Sequence, residues 1–215
     1  MTSTNLYFTT SYEQPVDYHF SHDSVFLARR AFELIEKMKL PSENVLDLCA
    51  GCGVVGIDYF IHLEKNKRQL PHRIDFLEIQ PVYQKHFAKN ITQIPGLNSF
   101  KFLNLNYEKV FAQPQLKGVY DLILCNPPYF NQGQGPLSKS EFKNRCRFFI
   151  DSDLNQLLLA TKYMLAKNGI ALMLLKDSKA NGLRLEKTLQ KYNELFQITK
   201  LEKIRSTDFY QFQSL

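Results

Sequence analysis

The stretch Val45-Leu-Asp-Leu-Cys-Ala50-Gly51-Cys-Gly53-Val-Val-Gly56 constrains this chain more than any other. The short apolar run Asn44 to Leu48 predicts a strand, and Val54 to Glu64 predicts a helix. Between them Gly51 and Gly53 let the backbone turn sharply and pass close to a ligand, while the helix start offers free N–H groups. As a bare pattern G-x-G-x-x-G is weak. Its position between a strand and a helix is what makes it a candidate ligand turn.

The remaining chain repeats the same unit. Ser24 to Met38 has a helical apolar period, with Ser21 or Asp23 as its expected cap. Ile74 to Ile79, Phe100 to Leu105 and Tyr120 to Cys125 predict strands, and Pro81 to Ile91 a helix opening on a first-turn proline. Leu154 to Ala166 predicts a helix closed by a left-handed Asn168-Gly169, followed by the fully apolar strand Ile170 to Leu175. Asn181 to Tyr192 predicts a helix, and Leu195 to Ile204 with Phe209 to Phe212 a closing hairpin. The stretches 71–72, 114–118 and 131–143 read as loops. The expectation is an α/β, Rossmann-like, doubly wound and mostly parallel seven-stranded sheet with a C-terminal antiparallel strand. A single domain over 1–215 is expected, with an N-terminal segment and helix at 1–43 before the core at 44–215.

Composition narrows the class. Hydrophobic residues make up 44% and charged residues 22% of 215, enough for one large core. No apolar run approaches the roughly 20 residues that span a membrane, and no signal-peptide pattern opens the chain. A cytoplasmic protein without membrane contact, a monomer or weak dimer, is expected. Cys49 and Cys52 form a C-x-x-C, but no second pair completes a four-ligand site, so no metal is expected and small side chains in a tight turn are the plainer reading. The net charge of +6 is compatible with a polyanionic partner. Its basic residues gather at 65–73 and at Lys139 to Arg147, where a merely solvated loop is the competing reading.

Two further features bear on chemistry. Glu78, on the strand after the glycine turn, can accept hydrogen bonds from ribose hydroxyls, and Ile79 beside it can pack on an adenine face. A nucleoside-containing cofactor follows, and a nicotinamide dehydrogenase would use the same turn and acid. The second feature is Asn126-Pro127-Pro128-Tyr129 at the end of Tyr120 to Cys125. Two prolines stiffen the backbone and remove two N–H donors, leaving an amide oxygen, a carbonyl and a ring that together suit a planar amine.

Asp47 before the turn gives D-x-x-x-G-x-G, which resembles the cofactor turn of class I S-adenosylmethionine-dependent methyltransferases. The Asn-Pro-Pro-Tyr motif resembles their amino-methyltransferase branch. Tyr18-His-Phe-Ser-His-Asp23-Ser24-Val-Phe-Leu-Ala28 resembles the F-S-x-D-S-x-L-L-A segment of bacterial tRNA adenine-N6 methyltransferases that modify valine tRNA. The resemblance covers about residues 14 to 176. It implies S-adenosylmethionine as cofactor, with Asp47, Ala50, Gly51 and Gly53 at its methionine end, Glu78 and Ile79 at its nucleoside, and Asn126 touching cofactor as well as acceptor. Ser21 and Asp23 would flank the methionine carboxylate. Asn106 matches an Asp that accepts from the adenine in the family, and surface polarity is its competing reading. The family's Arg followed closely by an acid corresponds here to Arg145-Cys-Arg147, with the nearest acid at Asp151.

In that reading Asn126 Oδ1 and the Pro127 carbonyl accept the two N–H bonds of an exocyclic amine, Tyr129 stacks on the base, and catalysis is mostly positioning. Phe130, Lys143, Arg145 and Arg147 are the candidate substrate contacts, tRNA the leading partner. Phe148 and Phe149 would add stacking, with core packing as their alternative. The same clamp fits a protein glutamine amide or the guanine amine of rRNA. A catalytically weak RNA-binding module with the same fold is the alternative of another class.

Overall fold

The computed structural model describes residues 10–92, 94, 99–131, 133, 135–177 and 185–215. In chain order its first elements are α1 (His22–Met38), β1 (Asn44–Leu48), α2 (Val54–Lys65), β2 (Arg73–Glu78), α3 (Tyr83–Ile91) and β3 (Phe100–Asn104). Two 3-10 turns, Tyr107–Ala112 and Pro114–Leu116, lead to β4 (Tyr120–Cys125), β5 (Phe130–Asn131), α4 (Glu141–Arg147) and β6 (Phe148–Phe149). The chain closes with α5 (Leu154–Met164), β7 (Leu165–Leu175), α6 (Leu185–Gln190), β8 (Phe196–Ile204) and β9 (Thr207–Ser214).

Seven strands form one sheet in the order β3-β2-β1-β4-β7-β9-β8. All neighbours are parallel except at β9, which runs antiparallel to both β7 and β8. The final strand is therefore the reversed one, slipped between two that point the other way. Both faces of the sheet are covered, and side-chain alternation divides the core accordingly. Val45, Leu122, Leu124, Ile170 and Leu172 pack towards α1 and α2, while Leu46, Leu48, Ile123, Ala171 and Met173 pack towards α5 and α6. The apolar runs Leu122–Cys125 in β4 and Ile170–Leu175 in β7 serve both layers at once.

Several sequence expectations change. The helix from Leu154 ends at Met164, and the strand after it begins at Leu165, well before Ile170. The left-handed residue is Asn168 (φ 64°), not Gly169, and it lies inside β7. The β4–β7 register jumps from Tyr120–Leu165 to Leu122–Ile170, so the extra residues form an irregularity in the ladder instead of a helix cap. Residues 131–143 are only partly a loop: β5 opens it, and α4 closes it with Ser140 Oγ accepting from Lys143 N. The basic stretch from Lys143 to Arg147 is thus helical, with Lys139 ahead of the cap. Ser21 stands at the cap position of α1 without a side-chain cap bond, and Asp23 lies within the helix. Residues 181–184 of the predicted Asn181 to Tyr192 helix lie outside the described residues.

Candidate active site

β1 and β4 are neighbours, with Leu48 opposite Cys125, so the glycine turn and the Asn-Pro-Pro-Tyr loop leave the sheet at the same edge. Ligands of open α/β sheets collect at such strand ends. A cavity opens between the two loops, walled also by the segment before α1, the end of β2 and residues 145–152.

On the β1 side, Gly53 precedes α2 with φ +87°, and a Cβ there would stand 2.7 Å from the Phe87 ring. Gly56 lets α2 lie against the sheet: its Cβ would meet Phe76 at 2.6 Å and Asp47 Cβ at 3.1 Å. Asp47 belongs to this packing. It is fully buried, its Oδ2 accepts from Gly56 N at 2.8 Å, and its Oδ1 has no partner among the described residues. Burial pushes its carboxyl well above the ordinary range, against the pull of the Gly56 bond. Neither Asp47 nor Gly53 reaches the cavity wall, where Ala50 and Gly51 do. The Asp47 side chain points under the turn and braces it, which is a different part from the ligand contact expected of it.

Glu78 forms the floor at the end of β2. Its Oε2 accepts from Gly51 N at 2.9 Å and its Oε1 from Gln80 N at 2.8 Å. Burial raises its pKa, opposed by these backbone donors. With the Ile79 backbone as a third donor, the carboxylate still keeps a lone pair for a ligand. Ile79 follows as an exposed apolar ledge, 37% accessible. Asn106 also lines the cavity, but its amide is engaged: Oδ1 accepts from Glu108 N at 2.9 Å, and Nδ2 donates to the Asp151 carbonyl at 3.1 Å. It ties two walls together. Ser21 is exposed at the rim, whereas Asp23 sits behind the wall, accepting from Thr207 Oγ1 at 3.2 Å with Arg205 Nη1 at 3.6 Å.

On the β4 side, Asn126, Pro127, Pro128 and Tyr129 all line the cavity. Asn126 Nδ2 donates to Ser24 Oγ at 2.8 Å, and the Tyr129 hydroxyl donates to Asn126 Oδ1 at 2.5 Å. Tyr129 N donates to the Arg147 carbonyl at 3.2 Å, which stitches the clamp to the end of α4. β5 and β6 pair just beyond, setting the Phe130 and Phe148 rings 5.8 Å apart. Phe148 is a buried core residue, and Phe149 packs half-buried on the α5 side. The Arg147 guanidinium lies 5.3 Å from the Phe148 centroid, and Lys176 Nζ lies 5.8 Å from that of Phe130. Arg145 Nε donates to Asp151 Oδ2 at 2.9 Å, so the acid that trails the Arg in sequence is its partner in space. Arg145 and Arg147 face the cavity; Lys143, on α4, does not.

Some wall residues were given no role from the sequence. Ser24, although part of the F-S-x-D-S-x-L-L-A match, is one. Cys146 is another, with Gln80 Nε2 at 3.4 Å and the Tyr83 hydroxyl at 3.3 Å from its sulfur. The Cys49–Cys52 motif is a pair of free thiols, and burial pushes Cys52 up to about 12, out of the reactive range.

The family model described as Methyltransferase small domain matches residues 19–201. Among curated proteins, a tRNA1(Val) (adenine(37)-N6)-methyltransferase of Shewanella sp. (strain W3-18-1) is 24% identical over 167 residues, 78% of this chain and 63% of that protein. One of Aliivibrio salmonicida is 26% identical over 170 residues, 78% of this chain and 64% of that protein. The chain thus spans just under two thirds of these relatives' length. Among solved structures, a candidate methylase from Haemophilus influenzae superposes with a TM-score of 0.58 at 15% identity, covering 94% of this chain and 92% of that one. An rRNA methylase from Streptococcus thermophilus does so at 0.51 and 13%, covering 86% and 95%. Likenesses at such identity speak for the fold alone. The family model, matched over most of the length, speaks for descent: this chain belongs to the methyltransferase small domain family.

Proposed function

We propose that this chain is an S-adenosylmethionine-dependent N-methyltransferase whose acceptor is the N6 amino group of an adenine in tRNA. The observation that carries the reading is the meeting of the Glu78–Gly51 floor with the Asn126 amide in one cavity. The donor set suits the cofactor. Glu78 would accept from the ribose hydroxyls, Ile79 would carry the adenine, and Ala50, Gly51 and Ser21 would enclose the methionine end. Asn106 would touch the adenine with its remaining lone pair. When bound, the cofactor supplies a methyl carbon made electrophilic by its sulfonium.

The chain's own task is to present a nitrogen. An adenine amine is a weak nucleophile, its lone pair spread into the ring. Asn126 Oδ1 has two lone pairs, one taken by the Tyr129 hydroxyl and one left for an amine N–H. The Pro127 carbonyl would take the other N–H. Held this way, the amine nitrogen points into the cavity, and positioning supplies most of the rate. A base must leave its stack to enter, and single-stranded loops make that cheap. Tyr129 and Phe130 would contact the base, while Arg147, Arg145 and the more distant Lys143 would meet phosphates. A tRNA substrate places the work in the cytoplasm, and the names of the tRNA-modifying relatives support that choice of RNA.

The test is tritiated methyl transfer to total RNA and to total protein, followed by nucleoside analysis. Label in N6-methyladenosine of tRNA is expected. Label confined to protein overturns the reading in favour of a glutamine acceptor.

A further inference from the structure

An asparagine amide does not hold its own plane. Rotation about its terminal sp3–sp2 torsion is broad and weakly restrained, so a clamp built on Asn needs its amide fixed from outside. Two anchors do this here. Tyr129, three residues on, donates its hydroxyl to Oδ1 at 2.5 Å. The second anchor comes from 102 residues away: Ser24 Oγ accepts from Nδ2 at 2.8 Å. Ser24 is itself held. It is 4% accessible, lies in the first turn of α1, and its N–H donates to the Ser21 carbonyl at 3.1 Å.

We infer that Ser24 is a positioning residue for the acceptor: its hydroxyl fixes the plane of the Asn126 amide and so the direction along which an acceptor amine is held. The inference rests on the N-methyltransferase reading above. With Ser24 gone, the amide keeps one anchor and can swing about it, and an incoming N–H no longer meets a lone pair in a set direction. Cofactor binding has little share in this: Glu78, Ile79 and Gly51 stand on other elements, and the bond to the Ser21 carbonyl comes from the Ser24 backbone N–H, which a side-chain change keeps. The effect therefore falls on turnover.

The experiment uses the full chain and whichever acceptor the wild type labels in the RNA and protein assay. Ser24→Ala is expected to lower the rate at saturating acceptor and cofactor about ten- to a hundredfold, the scale of lost alignment at a reacting centre. Cofactor affinity, measured by calorimetry, should stay within about threefold, less than one charged hydrogen bond is worth. Ser24→Thr, which keeps the hydroxyl, should restore most of the rate. A third readout needs no acceptor: one Asn126 side-chain amide proton should exchange slowly in the wild type and lose that protection in Ser24→Ala. A wild-type rate in Ser24→Ala, an unchanged amide signal, or equal loss of rate and cofactor affinity overturns the role given to Ser24. Label found only in protein would overturn the adenine reading while the Ser24 comparison proceeds on that acceptor.

Discussion

The β1 side of the cavity is made by residues close in sequence, whereas the β4 side is assembled from residues far apart. Asp47 braces Gly56 across nine positions, and Glu78 reaches Gly51 across 27. On the other side Asn126 leans on Ser24 across 102 positions, and the hairpin residue Thr207 bonds Asp23 across 184. The chemistry differs in the same way. The turn works through backbone N–H groups and buried carboxylates, so most side-chain changes leave it intact unless a Cβ or a charge intrudes. The clamp works through single hydroxyls and one amide, so each side chain counts. Substitutions on the two sides should therefore fail differently, in binding on one and in turnover on the other.

The sharpest separation comes from Asn126→Ala. Loss of the clamp acceptor should cut methyl transfer at saturating substrates by about 10²–10³-fold, the range for removing one preorganised polar contact at a reacting centre. Cofactor affinity should hardly change. Equal loss in both would mean that Asn126 holds the fold, and the division between the two sides would collapse. Glu78→Ala should do the converse. Two hydrogen bonds to a charged group vanish, so cofactor affinity should drop roughly ten- to a hundredfold by calorimetry, with turnover at saturating cofactor largely kept.

Why one side was readable in the sequence and the other was not follows from the same distances. The strand Asn44–Leu48, the turn and Glu78 form one continuous unit, and Tyr120–Cys125 matches its strand residue for residue because the unbroken apolar run Leu122–Cys125 is buried on both faces. The motif located the site but not the aim of each side chain. Asp47 alternates with Leu46 and Leu48 and so faces α2, a consequence of pleat that the D-x-x-x-G-x-G pattern does not carry. Helix α4 hid for another reason: seven residues holding three basic side chains show no apolar period, and only the Ser140 cap marks their start. At Asn168-Gly169 a genuine left-handed residue imitated a helix end and proved to be a strand irregularity. Ser24 stands in the F-S-x-D-S-x-L-L-A match, yet its part could not be read from the sequence, since its partner lies on another element.

Backbone intrusion on the β1 side gives a third measurement. Gly53→Ala would force a Cβ to 2.7 Å from the Phe87 ring and hold a side chain at φ +87°, so it should cost about 1–3 kcal/mol and lower Tm. An equally stable Gly53→Ala protein would show that the turn is more pliant than its packing suggests. A milder probe is pH. Burial raises the Glu78 pKa, so this carboxylate protonates at a higher pH than an ordinary glutamate. Only the ionised form offers both oxygens as acceptors. Cofactor affinity should thus be full above the raised pKa and fall as pH drops through it, by at most about tenfold per unit. Glu78→Gln should flatten that fall. For stability the sign is reversed: the buried charge is a cost above the raised pKa, relieved as pH falls.

The smallest effects belong to the arginines of the β4 side, and there the comparison turns inward. Arg145 is already engaged, with Asp151 at 2.9 Å and Glu141 at 3.5 Å, both in partly exposed pairs. Such pairs contribute about 1 kcal/mol or less, so Arg145→Ala should shift Tm by a few degrees at most. The wall should stay in place, because the Asp151 carbonyl also accepts from Asn106. Arg147 forms no ion pair among the described residues and lies over the Phe148 ring, which leaves its charge to an incoming phosphate. RNA affinity should accordingly fall more in Arg147→Ala than in Arg145→Ala, and only the Arg147 change should lower the salt dependence of binding by about one counterion. Equal losses from the two would show that Asp151 releases Arg145 when RNA arrives, and that the ion pair is a resting state of the wall.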